Sequence, residues 1–158
     1  MPNKFIKCGK LNISNNSQLT LIAGPCQLEN EKHALEVANE LKNITEKLGI
    51  GLIYKTSFDK ANRTSLKGKR GAGLEKSLPV FDKIRNEVGV PVLTDVHTIE
   101  QCEAVSEHVD VLQIPAFLCR QTDLLIAAAI SKSVCLHKKA GICKISTWLA
   151  TWEHCSIV

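Results

Sequence analysis

Aromatic residues are scarce. They make up 4% of the 158 residues, with one tyrosine, two tryptophans and four phenylalanines. Any core is therefore aliphatic, and platforms on which nucleic-acid bases could stack are missing. Long apolar runs are missing too. The longest, residues 124–130, falls far short of the roughly 20 residues that cross a bilayer, so no membrane partner is expected. The N-terminal stretch MPNKFIKCGKLNI lacks the apolar segment of a secretory leader, and a cytosolic protein is expected. None of the seven cysteines, at 8, 26, 102, 119, 135, 143 and 155, stands in C-x-x-C spacing, which argues against a zinc knuckle or a thioredoxin-type pair. In a reducing cytosol most of them are expected to be small buried hydrophobes. No Gly-x-Gly-x-x-Gly follows the first predicted strand. Gly71-Ala72-Gly73 is only a fragment of that pattern, which argues against a dinucleotide-binding fold.

What is present is ordinary in bulk and unusual in one place. The chain is 44% hydrophobic and 23% charged, the balance of one globular domain. Its formal net charge is +4. Between Lys55 and Arg70 stand six cations (Lys55, Lys60, Arg63, Lys67, Lys69, Arg70) against one acid, Asp59, a local balance of +5. The rest of the chain is close to neutral. One basic loop containing a single aromatic, Phe58, is not a nucleic-acid footprint. Lys67, Lys69 and Arg70 are expected to be solvated.

Along the chain, short apolar runs alternate with helical stripes. Residues 19–23 (LTLIA) form a strand ending in Gly-Pro. Residues 31–48 carry a helical stripe of Ala34, Leu35, Val37, Ala38, Leu41, Ile44 and Leu48, with Gly49 as cap. Residues 52–54 form the next strand core, and the basic loop follows. Residues 74–88 read as one helix, 91–95 as a strand, and 98–107 as a helix opened by Thr98 with Gln101 three positions on. Residues 110–114 form a strand, 122–129 a helix with Leu124, Leu125 and Ala128 in the core, and 133–138 a fifth strand. A short hairpin is expected between Phe5 and Ile13. Cys102, on the third helix, is expected to pack.

Short apolar strands alternating with helices predict a parallel sheet in an α/β fold. Polar residues gather at the C-terminal ends of the strands: Cys26, Lys55, Asp95 with His97, and Gln113. A (β/α)8 TIM barrel points all such ends at one site. His97 could serve there or be a satisfied polar residue. A full barrel needs about 250 residues. Five strands make only its N-terminal half, with two unpaired edges.

Three segments carry a resemblance: KTSFDKANRTS at 55–65, TDVH at 94–97 and LQIPAFLCRQTDLL at 112–125. Together they resemble the 3-deoxy-D-manno-octulosonate 8-phosphate synthase family, over about residues 5–139. That family condenses phosphoenolpyruvate with arabinose 5-phosphate, releasing phosphate, on the route to Kdo and lipopolysaccharide. The related family that uses erythrose 4-phosphate has a Lys-Pro-Arg-Thr-Ser type motif in this loop. Here the loop reads Lys60-Ala61-Asn62-Arg63-Thr64-Ser65, which favours the arabinose 5-phosphate reading.

The resemblance gives the basic loop a purpose, since two phosphorylated substrates held side by side need several fixed cations. It implies that Lys55, Lys60 and Lys138 hold phosphoenolpyruvate, with Ser57 and Thr64 lining the site. It places Asn62 and Arg63 on arabinose 5-phosphate, and Asp95 against the aldose hydroxyls. Lys55, Lys60, Asp95 and Lys138 carry the catalytic roles. Gln113, Pro115, Ala116 and Phe117 shape the pocket, and Arg120 reaches a neighbouring subunit in a homotetramer. Cys26, in AGPCQ, corresponds to a ligand of the divalent metal used by one branch of the family. The other ligands of that metal lie on later strands, so stable metal binding by this chain is not expected.

After Lys139 the resemblance is expected to stop, dividing the chain into 1–139 and an unrelated tail, 140–158. A frameshift would produce such a break. A half barrel of this kind is expected to be poorly stable and inactive. The alternatives are the erythrose 4-phosphate synthase and a non-catalytic fragment or oligomerisation module.

Overall fold

The computed structural model describes residues 5–61, 68–131, 133–138 and 147–150; of 137–138 and 147–150 it describes the backbone alone. Asn62, Arg63, Thr64 and most of the tail thus lie outside the described residues. No described helix is long and apolar enough to cross a membrane.

The chain opens with an antiparallel hairpin, β1 (Ile6–Cys8) and β2 (Leu11–Ile13). Then strands and helices alternate: β3 (Thr20–Ala23), α1 (Glu31–Leu48), β4 (Gly51–Lys55), α2 (Leu74–Lys83), β5 (Val92–Asp95), α3 (Ile99–Ser106), β6 (Val111–Ile114), α4 (Thr122–Ile130) and β7 (Val134–Lys138). Strands β3 to β7 pair in chain order, each parallel to the next. This is the N-terminal half of a TIM barrel.

Alternation along the strands separates two cores. On the outer face Leu52, Tyr54, Val92, Leu112 and Ile114 pack under Ala34 and Ala38 of α1, Val80 and Phe81 of α2, Val105 of α3, and Leu124 and Ala128 of α4. Leu125 packs against this core half-buried. On the inner face Ile53, Leu93, Val111, Val134 and Leu136 form a second cluster with Cys8. The hairpin seals it: Ile6, Leu11 and Ile13 pack there, at the N-terminal strand ends, where Leu11 lies over Gly51 and Gly9 faces Pro91. Burial pushes the Cys8 thiol up to about 12, with the Asp110 charge adding to it. Closing that end leaves the C-terminal ends of the strands for chemistry.

The sequence-based boundaries hold for α1, where Gly49 returns its N–H to Glu46 and Thr45. Two expectations need correction. Residues 74–88 are not one uniform helix, because α2 ends at Lys83 and widens into a π-helical turn, Ile84–Val88. Gly89, in the left-handed region, closes that turn by donating to Ile84. The wider turn buries both Ile84 and Val88 and sends Arg85 to Asp110 at 3.3 Å. The five parallel strands are those expected, but they do not leave two unpaired edges. A sixth, β8 (Thr147–Ala150), pairs antiparallel with β7, so the β7 edge is covered.

Helix α3 begins as expected. Gln101 Oε1 accepts from the backbone N–H of His97 at 2.8 Å and of Thr98 at 3.3 Å, taking up two amides that the helix leaves unpaired. Gln101→Ala is expected to cost about 1 kcal/mol, read as a lower urea midpoint. An unchanged midpoint would mean that water serves these amides equally well.

Candidate active site

Strand period and pairing register bring the chemistry together. Asp95 ends β5 and stands opposite Gln113 of β6, while Lys55 ends β4 opposite Leu93. Ser57 follows two residues after Lys55 and His97 two after Asp95, so each pair keeps to one face of extended chain. Lys55 Nζ donates to Ser57 Oγ at 2.8 Å. His97 Nε2 lies 3.0 Å from Asp95 Oδ2, and Phe58 meets the His97 ring edge-on at a centroid distance of 6.0 Å. Asp95, Ser57 and Gln113 are all buried.

The electrostatics follow from this packing. Burial by itself would raise the Asp95 pKa. The hydrogen bonds from His97 and Ser57, with the charges of Lys55 and His97, oppose it and hold the carboxyl below its ordinary value. Its second oxygen, Oδ1, is buried with no partner among the described residues. The cluster thus offers an ionised carboxylate with spare acceptor capacity beside a lysine. That combination suits a hydroxylated anion.

The neighbouring backbone is knitted tightly. Gln27 bridges to Ser57, Leu28 N–H donates to Ser57 O at 2.8 Å, and Ala72 N–H donates to Leu28 O at 3.0 Å. The two ends of the basic loop are tied by Lys60 N–H to Arg70 O at 2.6 Å and Gly73 N–H to Phe58 O at 3.1 Å. Arg70 also forms a two-pronged ion pair with Asp59, its Nε donating to Oδ1 at 2.8 Å. Arg70 was expected to be merely solvated; it is exposed, but it closes the base of the loop.

The structure places the sequence-predicted residues unevenly. Lys55, Ser57 and Asp95 come together, with Gln113 adjacent, and Lys60 is half-buried at the start of the loop. Lys138 ends β7. Asn62, Arg63 and Thr64 lie outside the described residues. Pro115 and Ala116 are half-buried around the short turn after β6, whereas Phe117 and Arg120 are exposed there. His97 was left undecided by the sequence, yet it joins the cluster directly. Its spacing of two from Asp95 was the available signal.

Cys26 is exposed just beyond β3. Among the described residues no three His, Cys, Asp or Glu side chains gather as a metal site would require.

A parallel (β/α) half barrel with a lysine–carboxylate cluster at its C-terminal strand ends has the layout of a TIM-barrel protein, the architecture whose sites lie at that face. The chain matches the model of the DAHP synthetase I family over residues 4–158 and belongs to that family. It is 57% identical over 158 residues to a 2-dehydro-3-deoxyphosphooctonate aldolase of Chelativorans sp. (strain BNC1), covering 100% of this chain and 55% of that protein. It is 60% identical over 151 residues to the 2-dehydro-3-deoxyphosphooctonate aldolase of Brucella ovis, covering 96% of this chain and 52% of that one. The chain spans about half the length of the curated relatives it matches. The matched range also runs past Lys139, where the resemblance was expected to end.

Proposed function

We propose that this chain carries the substrate-gathering half of a 3-deoxy-8-phosphooctulonate synthase. The reaction joins phosphoenolpyruvate, arabinose 5-phosphate and water into 3-deoxy-D-manno-octulosonate 8-phosphate and inorganic phosphate, for Kdo and lipopolysaccharide synthesis. The observation that carries the reading is the Lys55–Ser57–Asp95–His97 cluster at the C-terminal strand ends, in a chain whose relatives bear the aldolase name. C3 of phosphoenolpyruvate attacks the aldehyde carbon, water adds at C2, and phosphate leaves by C–O cleavage.

In this reading the protein works by positioning and by charge. Lys55, Lys60 and Lys138 hold phosphoenolpyruvate. Asn62 and Arg63 hold the sugar phosphate, Arg63 as a forked donor. Asp95 accepts from an aldose hydroxyl through its unpaired oxygen. Ser57 keeps Lys55 and Asp95 in register, Thr64 and Gln113 line the site, and Pro115, Ala116 and Phe117 shape its wall. A divalent metal with Cys26 among its ligands, and a homotetramer reached through Arg120, belong to the longer relatives' form. Turnover belongs there too.

Calorimetry with the full 158-residue chain tests this. Phosphoenolpyruvate is expected to bind, and Lys55→Ala or Lys60→Ala to weaken binding about 10- to 100-fold, the worth of one charge-assisted hydrogen bond. Equal binding by wild type and both variants would sink the site. Binding of erythrose 4-phosphate in preference to arabinose 5-phosphate would move the reading to the related synthase. Turnover of about 1 per second or more by this chain alone would overturn the assignment of activity to the longer form. Residues 140–158 are tested separately, by reading the gene in all three frames from the codon of Lys139. Continuation of the barrel in another frame would mark the tail as frameshifted.

A further inference from the structure

A cavity of about 500 Å³ opens at the N-terminal ends of β4 and β5, between the hairpin, the C-terminal half of α1 and the π-helical turn. Gly51 begins β4 there and Pro91 precedes β5, whereas Lys55 and Asp95 end the same two strands. Four strand steps, about 13 Å, thus separate the cavity from the candidate active site. The π-helical turn shapes one wall. Such turns are rare and recur at functional sites. Gly89, which closes the turn, faces open space: a β-carbon built there would have nothing within 4 Å. Lys42 Nζ ties α1 to the same turn by donating to Val88 O at 2.7 Å.

The charges of the lining do not cancel. Arg85 is matched by Asp110 at 3.3 Å and Lys42 by Glu46 at 3.8 Å. Lys10, exposed at the hairpin turn, also lines the cavity and has no partner among the described residues. Nor has the side-chain amide of Asn86, in the π-helical turn. One positive charge and one amide are therefore unmatched, beside an apolar floor of Leu11, Leu52, Val90 and Pro91. We propose that this cavity binds a small organic monocarboxylate, its head held by Lys10 and Asn86 and its apolar body laid on that floor. The volume is within the range of small-molecule sites, about 300–1,000 Å³. A cation would meet Lys10, and a dianion would bring one charge more than the lining can match. Binding here involves none of the groups assigned to the substrates above, so it stands or falls separately from the proposed function.

The test is an amide-shift titration of the full 158-residue chain with cyclohexanecarboxylate. Acetate supplies the head alone and cyclohexanol the body alone. The expected result is saturable shifts at Gly9, Lys10, Leu11, Gly89 and Val90, with either control binding about fivefold more weakly or worse. Lys10→Glu is expected to weaken binding about fivefold or more, the scale of an exposed charge pair. Asn86→Trp, at an exposed position from which the ring can fill the cavity, is expected to abolish it. Neither variant is expected to change phosphoenolpyruvate binding. Should Asn86→Trp fail to fold, Lys10→Glu on its exposed turn still decides. Absence of saturable shifts overturns the site, and so do shifts confined to Lys55 and Asp95. Equal binding by Lys10→Glu, or by cyclohexanol, overturns recognition of the head. Acetate binding as tightly as cyclohexanecarboxylate overturns the apolar floor.

Discussion

Gly24→Ala is expected to cost this protein about 3 kcal/mol or more. Gly24 follows β3 with φ 157°, and a β-carbon built there would stand 2.0 Å from the Lys55 carbonyl oxygen and 2.9 Å from its carbon. The obstacle is backbone, so no side-chain rotation relieves it. The β4 strand cannot retreat easily, because Thr56 N–H donates to Leu93 O at 3.2 Å and Tyr54 N–H to Pro91 O at 2.8 Å. Either β3 peels from β4 or the Lys55 segment shifts with the site it carries. Overpacking of a rigid contact costs about 1–3 kcal/mol and sometimes more, and a strained backbone adds to that. Against a total of about 5–15 kcal/mol, the loss is large. Urea unfolding measures it directly. Gly49→Ala serves as the control: φ is 65° there, but nothing lies within 4 Å, so it isolates the backbone term of about 1 kcal/mol. Equal losses in the two variants would show that the β3–β4 contact yields without strain.

That contact illustrates what the sequence conceals. Gly24-Pro25 reads as the end of a strand, and it is one; the closeness of Lys55 exists only once β3 and β4 pair. Helix α1 was legible throughout because its stripe, its length and its Gly49 cap agree. The turn at 84–88 was not, since apolar residues four apart satisfy a helix and a wider turn equally. Strand β8 was invisible for a different reason. Four residues such as TWLA form a strand only against an available edge, and nothing local announces that edge.

The site was legible in its parts and not in its connections. The basic loop announced an anion, yet the Arg70–Asp59 pair across its base spans eleven positions and looks like uncorrelated charge in the sequence. Within TDVH, by contrast, the period of two on an extended strand is enough to set Asp95 and His97 on one face. The sequence therefore held the pair but not its closure. Lys55 and Ser57 arrive from the adjacent strand, and the four side chains meet only through the β4–β5 register.

Asp95→Asn is expected to lower stability by about 2 kcal/mol at pH 7, with the difference shrinking in acid. The carboxylate accepts hydrogen bonds from His97 and Ser57 near the Lys55 charge, and a hydrogen bond to a charged group is worth about 1.5–3 kcal/mol. Desolvation of the buried carboxylate takes part of that back. Burial raises the Asp95 pKa, but the hydrogen bonds and neighbouring charges hold the folded value below the ordinary one. A depressed folded value contributes stability that is fully present above the unfolded pKa of about 3.9. That stability is lost as pH falls through the folded value. Wild type should therefore lead the variant from pH 7 down to about pH 4, and the lead should then fall away. Urea midpoints across that series check it. A variant as stable as wild type at pH 7 would mean that desolvation cancels the cluster. A constant difference at every pH would mean that the loss comes from packing and not from the ionised carboxylate.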